Sequence, residues 1–158
     1  MASLLYDEIN SSLLRKVTDY DFLNMSVDDI TAQLVEYLHS AIAKPYCRRL
    51  FSTLEMDDEI MEMSYDLKQS TDESQDKDFV VEMLALGMLI EWTEPLLHSK
   101  LTMQQLITSN KESKFYSQAQ HLSTIQSVYD STVKKQRDLI RDRGYIYDGY
   151  LGGRNGQV

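Results

Sequence analysis

The sequence predicts a mainly α fold: a helical bundle with a long C-terminal helix, one short β element and an extended C-terminal arm. Glycine and proline are scarce before residue 144, where only Gly87, Pro45 and Pro95 occur, and a turn-rich β fold needs more of both. Apolar residues also recur at helical spacing through most of the chain. At 158 residues the chain is long enough for one domain with a sizeable core. We expect a helical body over residues 1–143 and a docking arm over 144–158.

The first predicted helix covers Leu4–Val17. Its apolar residues lie four apart, which places them on one face: Leu5, Ile9, Leu13 and Val17. A linker is expected over Asp19–Asn24.

The second predicted helix starts at Ser26, a residue type that caps helix N-termini. Asp28 and Asp29 place negative charge in its first turn, where the helix dipole favours it. Since the residue before a proline disfavours helical angles, Pro45 is expected to end this helix at about Lys44.

Residues Ile60–Leu67 change period, because apolar and polar side chains alternate there. This alternation is typical of a β-strand. A strand needs a hydrogen-bonding partner, which lies either within the chain, at Arg49–Leu54 or Leu101–Ile107, or in a neighbouring subunit.

The central helix is predicted from Asp76 to about His98 and is apolar on nearly every face, which indicates burial. Gly87 inside it predicts a close helix–helix crossing. Pro95 is expected to end or kink the helix.

Residues Leu101–Ile107 form an ambiguous apolar segment, and Thr108–Lys114 is expected to be a loop. The last helix is predicted over Tyr116–Arg143, with Ser117 as a candidate cap. Its apolar stripe comprises Ala119, Leu122, Ile125, Tyr129, Val133 and Ile140.

The C-terminal arm, Gly144–Val158, combines aromatic side chains with five glycines. A purely disordered tail is poor in aromatics, so this composition favours an adhesive segment that docks on another protein. The glycines at 149, 152 and 153 let the backbone turn. The expected contact residues are Tyr145, Ile146, Tyr147, Tyr150 and Leu151.

Charge is unevenly distributed along an acidic chain whose formal net charge is −9. Eleven acidic residues lie within Glu55–Glu82, and five basic residues lie within Lys134–Arg143. Opposed charge patches suit a head-to-tail interface between copies. The intersubunit candidates are Met61, Met63, Glu62 and Asp66 around the strand, and Lys134, Lys135 and Arg137 on the last helix.

The net charge argues against nucleic-acid binding as the main role, because such binding needs a basic surface. The basic end of the last helix is either solvated, paired with acids, or in contact with phosphate. The single cysteine rules out an intramolecular disulfide and fits a reducing compartment. No signal peptide or membrane-spanning run is evident, so we expect no membrane partner.

No catalytic, metal or cofactor site is predicted. His39, His98 and His121 are far apart in the sequence and show no metal-ligand spacing. Cys47 is expected to be a buried structural thiol rather than a partner of His39. The acidic residues between 55 and 62 lack the spacing of a calcium loop and are read as a solvated loop.

Three blocks of the sequence resemble one family: YLHSAIAKPYC at Tyr37–Cys47, LALGMLIEWTEPLL at Leu84–Leu97 and FYSQAQHLSTI at Phe115–Ile125. Their order and spacing are similar to those of the small neck proteins of tailed bacteriophages, the head–tail connector or adaptor proteins. The resemblance covers roughly residues 26–143. Pro45 departs from it, since the family has a phenylalanine after the AIAK block.

The resemblance implies a virion structural protein that is made in the bacterial host cytoplasm and is not an enzyme. It implies a ring, commonly a dodecamer, that sits beneath the portal protein and extends the DNA channel without sequence-specific DNA binding. It also implies an arm that reaches the portal, with the next neck or tail protein as a further partner. The alternatives are a tail-completion or other morphogenesis protein and, from another class, a small helical enzyme or regulator.

Overall fold

A computed structural model describes residues 1–17, 26–107 and 112–146, with the side chains of 99–107, 112–122 and Ile146 left out. The described chain is mainly helical, with a small antiparallel sheet. In chain order the elements are β1 (Ala2–Leu5), α1 (Tyr6–Leu14), α2 (Val27–Ala43), α3 (Pro45–Arg48), β2 (Phe51–Asp57), β3 (Glu62–Leu67), α4 (Glu73–Ile107) and α5 (Glu112–Ile146).

The predicted strand exists as β3 and lies in the middle of a three-stranded sheet ordered β1-β3-β2. Met63 pairs with Leu4 on one side and with Met56 on the other. Of the candidate partners, Arg49–Leu54 is confirmed in part, since β2 takes up residues 51–54 of that segment and pairs with β3. The alternative partner, Leu101–Ile107, is wrong because it belongs to α4. Both edges of β3 are paired within the chain.

The first helix begins later than predicted, because β1 takes up Ala2–Leu5. Leu4 is buried and Leu5 is exposed, as alternation along a strand requires. Leu5 therefore does not belong to the apolar stripe of the helix, whereas Ile9 and Leu13 are buried as predicted. The backbone N–H of Tyr6 donates to the Met61 carbonyl at 2.8 Å, which joins the start of α1 to the β2–β3 turn.

The second helix has the predicted boundaries. The Ser26 hydroxyl accepts a hydrogen bond from the Asp29 amide at 3.2 Å, and this satisfies one of the free donors of the first turn. Lys44 is extended, with ψ at 130°, and Pro45 then opens the short helix α3.

The central helix α4 is longer than predicted. It runs through Pro95 to Ile107, so the ambiguous segment after Pro95 is helical. Proline removes one helical hydrogen bond, the one that the Glu91 carbonyl would accept. Pro95 is exposed, where water can satisfy that carbonyl, while Thr93 and Leu97 on either side are buried. Packing of the buried side therefore continues the helix past the proline.

The last helix is also longer than predicted at both ends. It begins at Glu112, so Ser117 lies inside it and does not cap it. It continues through Gly144 and Tyr145 to Ile146, so the arm does not begin at residue 144. Residues 147–158 and the predicted linker at 19–24 lie outside the described residues, as do 108–111 of the predicted loop.

The core is centred on α4, as predicted from its apolar faces. Val80, Met83, Leu84 and Met88 are all fully buried. The α4 and α5 helices run antiparallel. Arg143 contacts Asp76. Moving seven residues back along α5 to Gln136 and seven residues forward along α4 to Met83 gives the next contact. At 35 residues each, they are about 52 Å long.

Candidate functional site: the exposed face and C-terminal end of the last helix

Gln136 fixes the rotation of α5 about its own axis. Its side chain is 2% exposed, and its amide donates to the Met83 carbonyl at 3.0 Å. A Cβ added to Gly87 would lie 2.9 Å from the Gln136 Nε2 and 3.0 Å from the Cβ of Ala41. This confirms the predicted close crossing and shows that α2 and α5 both meet α4 at Gly87. Because Gln136 faces α4, residues half a turn away face solvent.

The solvent-facing side of α5 carries the predicted basic candidates Lys134, Lys135 and Arg137, here called the α5 cation face. All three are exposed. None forms an ion pair with another described residue, in contrast to Arg141, which pairs with Asp138 at 3.0 Å. The α5 cation face therefore presents positive charge on a molecule that is strongly negative overall.

Arg143, at the end of the same basic run, is engaged inside the chain. Its guanidinium pairs with Asp76 and lies 4.4 Å from the centre of the Phe79 ring. It also donates to the Gln69 carbonyl at 2.9 Å. The side chains of Arg143 and Asp76 are 12% and 8% exposed. This part of the predicted basic edge ties α5 to the start of α4 and does not face a neighbour.

Asp76 is held as a carboxylate by its surroundings. Burial on its own raises the pKa of this carboxyl, but hydrogen bonds from Ser70, Arg143 and the Thr71 amide outweigh burial and hold the pKa at about 2. The Thr71 amide donates at 3.1 Å. The pair is therefore charged across the neutral pH range.

Most of the predicted intersubunit residues around β3 already make contacts within the chain. Met63 is 0% exposed, so the prediction that its side chain contacts a neighbouring subunit is wrong. It fails because β3 is the middle strand and one of its faces lies in the core. Met61 is partly buried against that core. Glu62 accepts a hydrogen bond from Ser3, and Asp66 pairs with the N-terminal amine at 3.3 Å.

The turn between β2 and β3 is anchored by Asp58, which was not among the residues predicted to be important. Its carboxylate accepts a hydrogen bond from the Tyr6 hydroxyl at 2.7 Å and lies 2.9 Å from the His39 Nε2. The Tyr6 and His39 hydrogen bonds lower the pKa of Asp58. Burial, and then the hydrogen bond to Asp58, raise the pKa of Tyr6. The turn is therefore fastened to α1 and α2.

His39 contacts Asp58, so it does not form a pair with Cys47. The Cys47 thiol is buried, as predicted, and burial raises its pKa to about 12. A thiol with so high a pKa is almost entirely protonated at neutral pH and is a poor nucleophile. The described chain offers no activated nucleophile at this position.

A groove of about 430 Å³ lies where α5 ends, and we call it the root groove. Gly144 forms part of its wall. The other side chains that matter here are Arg49, Leu50, Leu67, Lys68, Phe79 and Ile140. Recognition of the β2–β3 hairpin from the sequence would have placed Arg49 near Lys68, since Phe51 pairs with Leu67 at its open end and the Lys68 amide donates to the Leu50 carbonyl.

The predicted arm residues divide into two groups. Tyr145 lies on α5 and is 51% exposed, and Ile146 is the last helical residue. Tyr147, Tyr150 and Leu151 lie outside the described residues. The exposed ring of Tyr145 is therefore the one predicted arm contact whose side chain is described.

Two further properties concern the described residues only. No group of three or more histidine, cysteine, aspartate or glutamate side chains is placed to hold a metal ion. None of the described helices has both the length and the apolar content that crossing a membrane requires.

Comparison with known proteins gives no relative: no family model, no curated protein and no solved structure matches the chain. The fold and the exposed face of α5 define a class, a mainly α protein with a small sheet and two long antiparallel helices. The function has to be argued from these residues.

Proposed function

We propose that the chain is a head–tail connector of a tailed bacteriophage, a structural adaptor that forms a ring under the portal, extends the DNA channel and joins head to tail. The proposal starts from the three sequence blocks that resemble this family. Two of them meet in the fold, since Ala41 of the first block packs at Gly87 of the second. Those blocks build the core, so the contacts made by the ring have to come from exposed residues elsewhere.

The observation that carries the proposal is the α5 cation face. The chain has a net charge of −9, yet it exposes three basic residues that have no acidic partner among the described residues. Charge placed this way steers a complementary surface and fixes its register, even where it adds modest affinity. A second copy of the chain supplies such a surface.

The complementary patch is the turn between β2 and β3. Glu55 and Glu59 are exposed there and take part in no ion pair with other described residues. Asp57 is occupied in the turn, where its carboxylate accepts from the amides of Glu59 and Ile60 at 3.0 and 3.3 Å. Glu55 and Glu59 are therefore the residues proposed to meet the α5 cation face of the next copy.

Two different patches on each copy make a head-to-tail interface, and repetition of such an interface closes into a ring when the rotation between copies permits. An isologous dimer would instead need one self-complementary patch. The ring is proposed to assemble on the portal. The chain has a net charge of −9, and an acidic channel wall would repel a polyanion and let genome DNA slide through without specific binding.

The experiment is a charge swap scored by assembly mass. The reversed variant K134E/K135E/R137E is mixed with portal protein and weighed by native mass spectrometry or mass photometry at low and high salt. It is expected to lose the ring, while the wild-type ring weakens as salt rises because exposed pairs are screened. The same reversals combined with E55K/E59K in one chain restore opposite charges and are expected to recover the ring.

The swapped variant is also the matched control for folding, since both variants carry the α5 reversals. Circular dichroism of the two should coincide. Assembly of the reversed variant at wild-type strength would contradict the electrostatic interface. Failure of the swapped variant to recover assembly would exclude Glu55 and Glu59 as the partners.

A further inference from the structure

We infer that the root groove is the docking site of the chain's own C-terminal segment, residues 147–158, which folds back onto the body that carries it. The inference goes beyond the proposed function, because it concerns the free chain and needs no portal. Its arguments are where the described chain ends, what lines the groove and which residues follow.

The segment starts beside the groove. Gly144 forms part of the groove wall, and the last helical residue, Ile146, lies only two residues further on. An extended chain spans at most about 3.5 Å per residue. Tyr150 can therefore reach to about 14 Å from Ile146, which brings the first two tyrosines of the segment within range of the groove.

The lining of the groove fits a tyrosine. Leu50, Leu67 and Ile140 supply apolar surface, and the Phe79 ring lies below the Arg143 guanidinium at 4.4 Å. Tyrosine has an apolar ring and a polar tip, which is the combination that a half-apolar, half-cationic site accepts. A volume of about 430 Å³ lies within the roughly 300–1,000 Å³ of ordinary ligand pockets.

The charge of the groove fits the same segment. Arg49 and Lys68 are exposed at its rim, and neither forms an ion pair with another described residue. Asp148 lies between Tyr147 and Tyr150 in the sequence. With the tyrosines in the groove, Asp148 lies within reach of the rim cations.

An arm of the same chain has an advantage over any other occupant. A short connection gives it a local concentration of the order of millimolar, without any need for a tight interaction. The adhesive residues of the arm are then covered in the free protein, and a portal that binds the arm has to displace it from the groove.

The test is disulfide trapping in the chain alone. Gln69→Cys at the groove and Gly149→Cys in the arm leave every proposed contact in place. Native Cys47 can remain, because its buried thiol reacts slowly. After mild oxidation at micromolar concentration, peptide mapping is expected to find a 69–149 disulfide in monomeric protein.

The control pair is Asp142→Cys with Gly149→Cys. Asp142 is exposed on α5, two residues before Gly144, and does not line the groove. It lies within reach of the arm, so its yield measures random collision. Reversal of Arg49 and Lys68 to glutamate is expected to lower the 69–149 yield about tenfold, as loss of two exposed charge pairs implies. Adding Asp148→Lys to that variant should restore it.

Two results would overturn the inference. Disulfide-linked dimers in place of monomers would show that the groove takes the arm of a second copy. A 69–149 yield no higher than the Asp142 control would show that the arm does not use this groove. Neither result bears on portal binding, so failure here is distinguishable from failure of the proposed function.

Discussion

Gly87 and Gln136 approach each other so closely that a side chain added at position 87 would force a neighbour to shift. An added Cβ would lie 2.9 Å from the Gln136 Nε2, inside contact distance, and 3.0 Å from the Ala41 Cβ. The absent side chain lets Gln136 reach the Met83 carbonyl at 3.0 Å. The helices α2, α4 and α5 therefore make a close contact at this glycine.

Gly87→Ala should lower the free energy of unfolding by about 1–3 kcal/mol, the usual cost of overpacking a core. The helix propensity of alanine opposes this by up to about 1 kcal/mol. Gly144→Ala is the matched control: it lies in α5 with nothing within 4 Å of the added Cβ. It should stabilise the protein by about 0.5–1 kcal/mol. Urea unfolding measures both, and equal effects of the two changes would contradict the crossing.

The Asp76–Arg143 pair should make stability depend on acid pH. Asp76 has its pKa lowered from 3.8 to about 2 in the folded protein, so its stabilising contribution is complete above pH 4 and disappears as the pH falls towards 2. That contribution is about 2 kcal/mol. The difference in unfolding free energy between wild type and Asp76→Asn should therefore narrow by about that amount between pH 5 and pH 2.

The control for this measurement is Asp78→Asn. Asp78 lies on the same helix but is exposed, and it pairs with no described residue. Asp78→Asn therefore removes one carboxylate from the same helix without breaking an ion pair to a described residue. A gap between wild type and Asp76→Asn that stays constant from pH 5 to pH 2 would show that Asp76 titrates normally and that Arg143 does not hold it.

Two buried tyrosines should respond in opposite ways to loss of the hydroxyl. Tyr6→Phe removes the 2.7 Å hydrogen bond to Asp58 and should cost about 1–2 kcal/mol of unfolding free energy. The Tyr65 hydroxyl is buried and has no hydrogen-bond partner among the described residues. Tyr65→Phe removes an unsatisfied group, so it should be neutral or stabilising by up to about 1 kcal/mol. Thermal unfolding that ranks the two variants the other way round would refute this account.

Two truncations should separate the arm from the body. Ending the chain after Ile146 keeps all of α5 and should leave helical circular dichroism and cooperative unfolding intact. Ending it after Asp142 also removes Arg143 and leaves Asp76 buried without its partner, at a cost of about 3–5 kcal/mol. Unfolding of the longer variant would mean that residues 147–158 belong to the core.

Much of the fold could be predicted from local signals in the sequence. The Ser26 cap and Pro45 gave the limits of α2, and the alternating residues at 60–67 gave the position of β3. Gly87 marked the crossing, because only a tight approach favours a glycine inside a buried helix. These features act over a few residues, so their pattern is visible in the chain.

The missed features depend on residues that are distant in sequence. Leu4 belongs to β1, but a four-residue strand next to a helix has apolar residues that also fit the helical stripe. Gln136 is buried, and a search for apolar spacing passes over it. The partner of Arg143 is Asp76, which lies 67 positions away in the sequence. No local pattern reveals such a pair. For the candidate site, the sequence predicted the α5 cation face and missed the root groove, whose lining comes from four separate parts of the chain.

The proposed connector role can be tested by electron microscopy of this protein mixed with the portal protein of the phage that is proposed to encode it. We expect a ring of this protein seated on one end of the portal, and no such ring with the K134E/K135E/R137E variant. A wild-type protein that stays free in the presence of assembled portal would contradict the proposal.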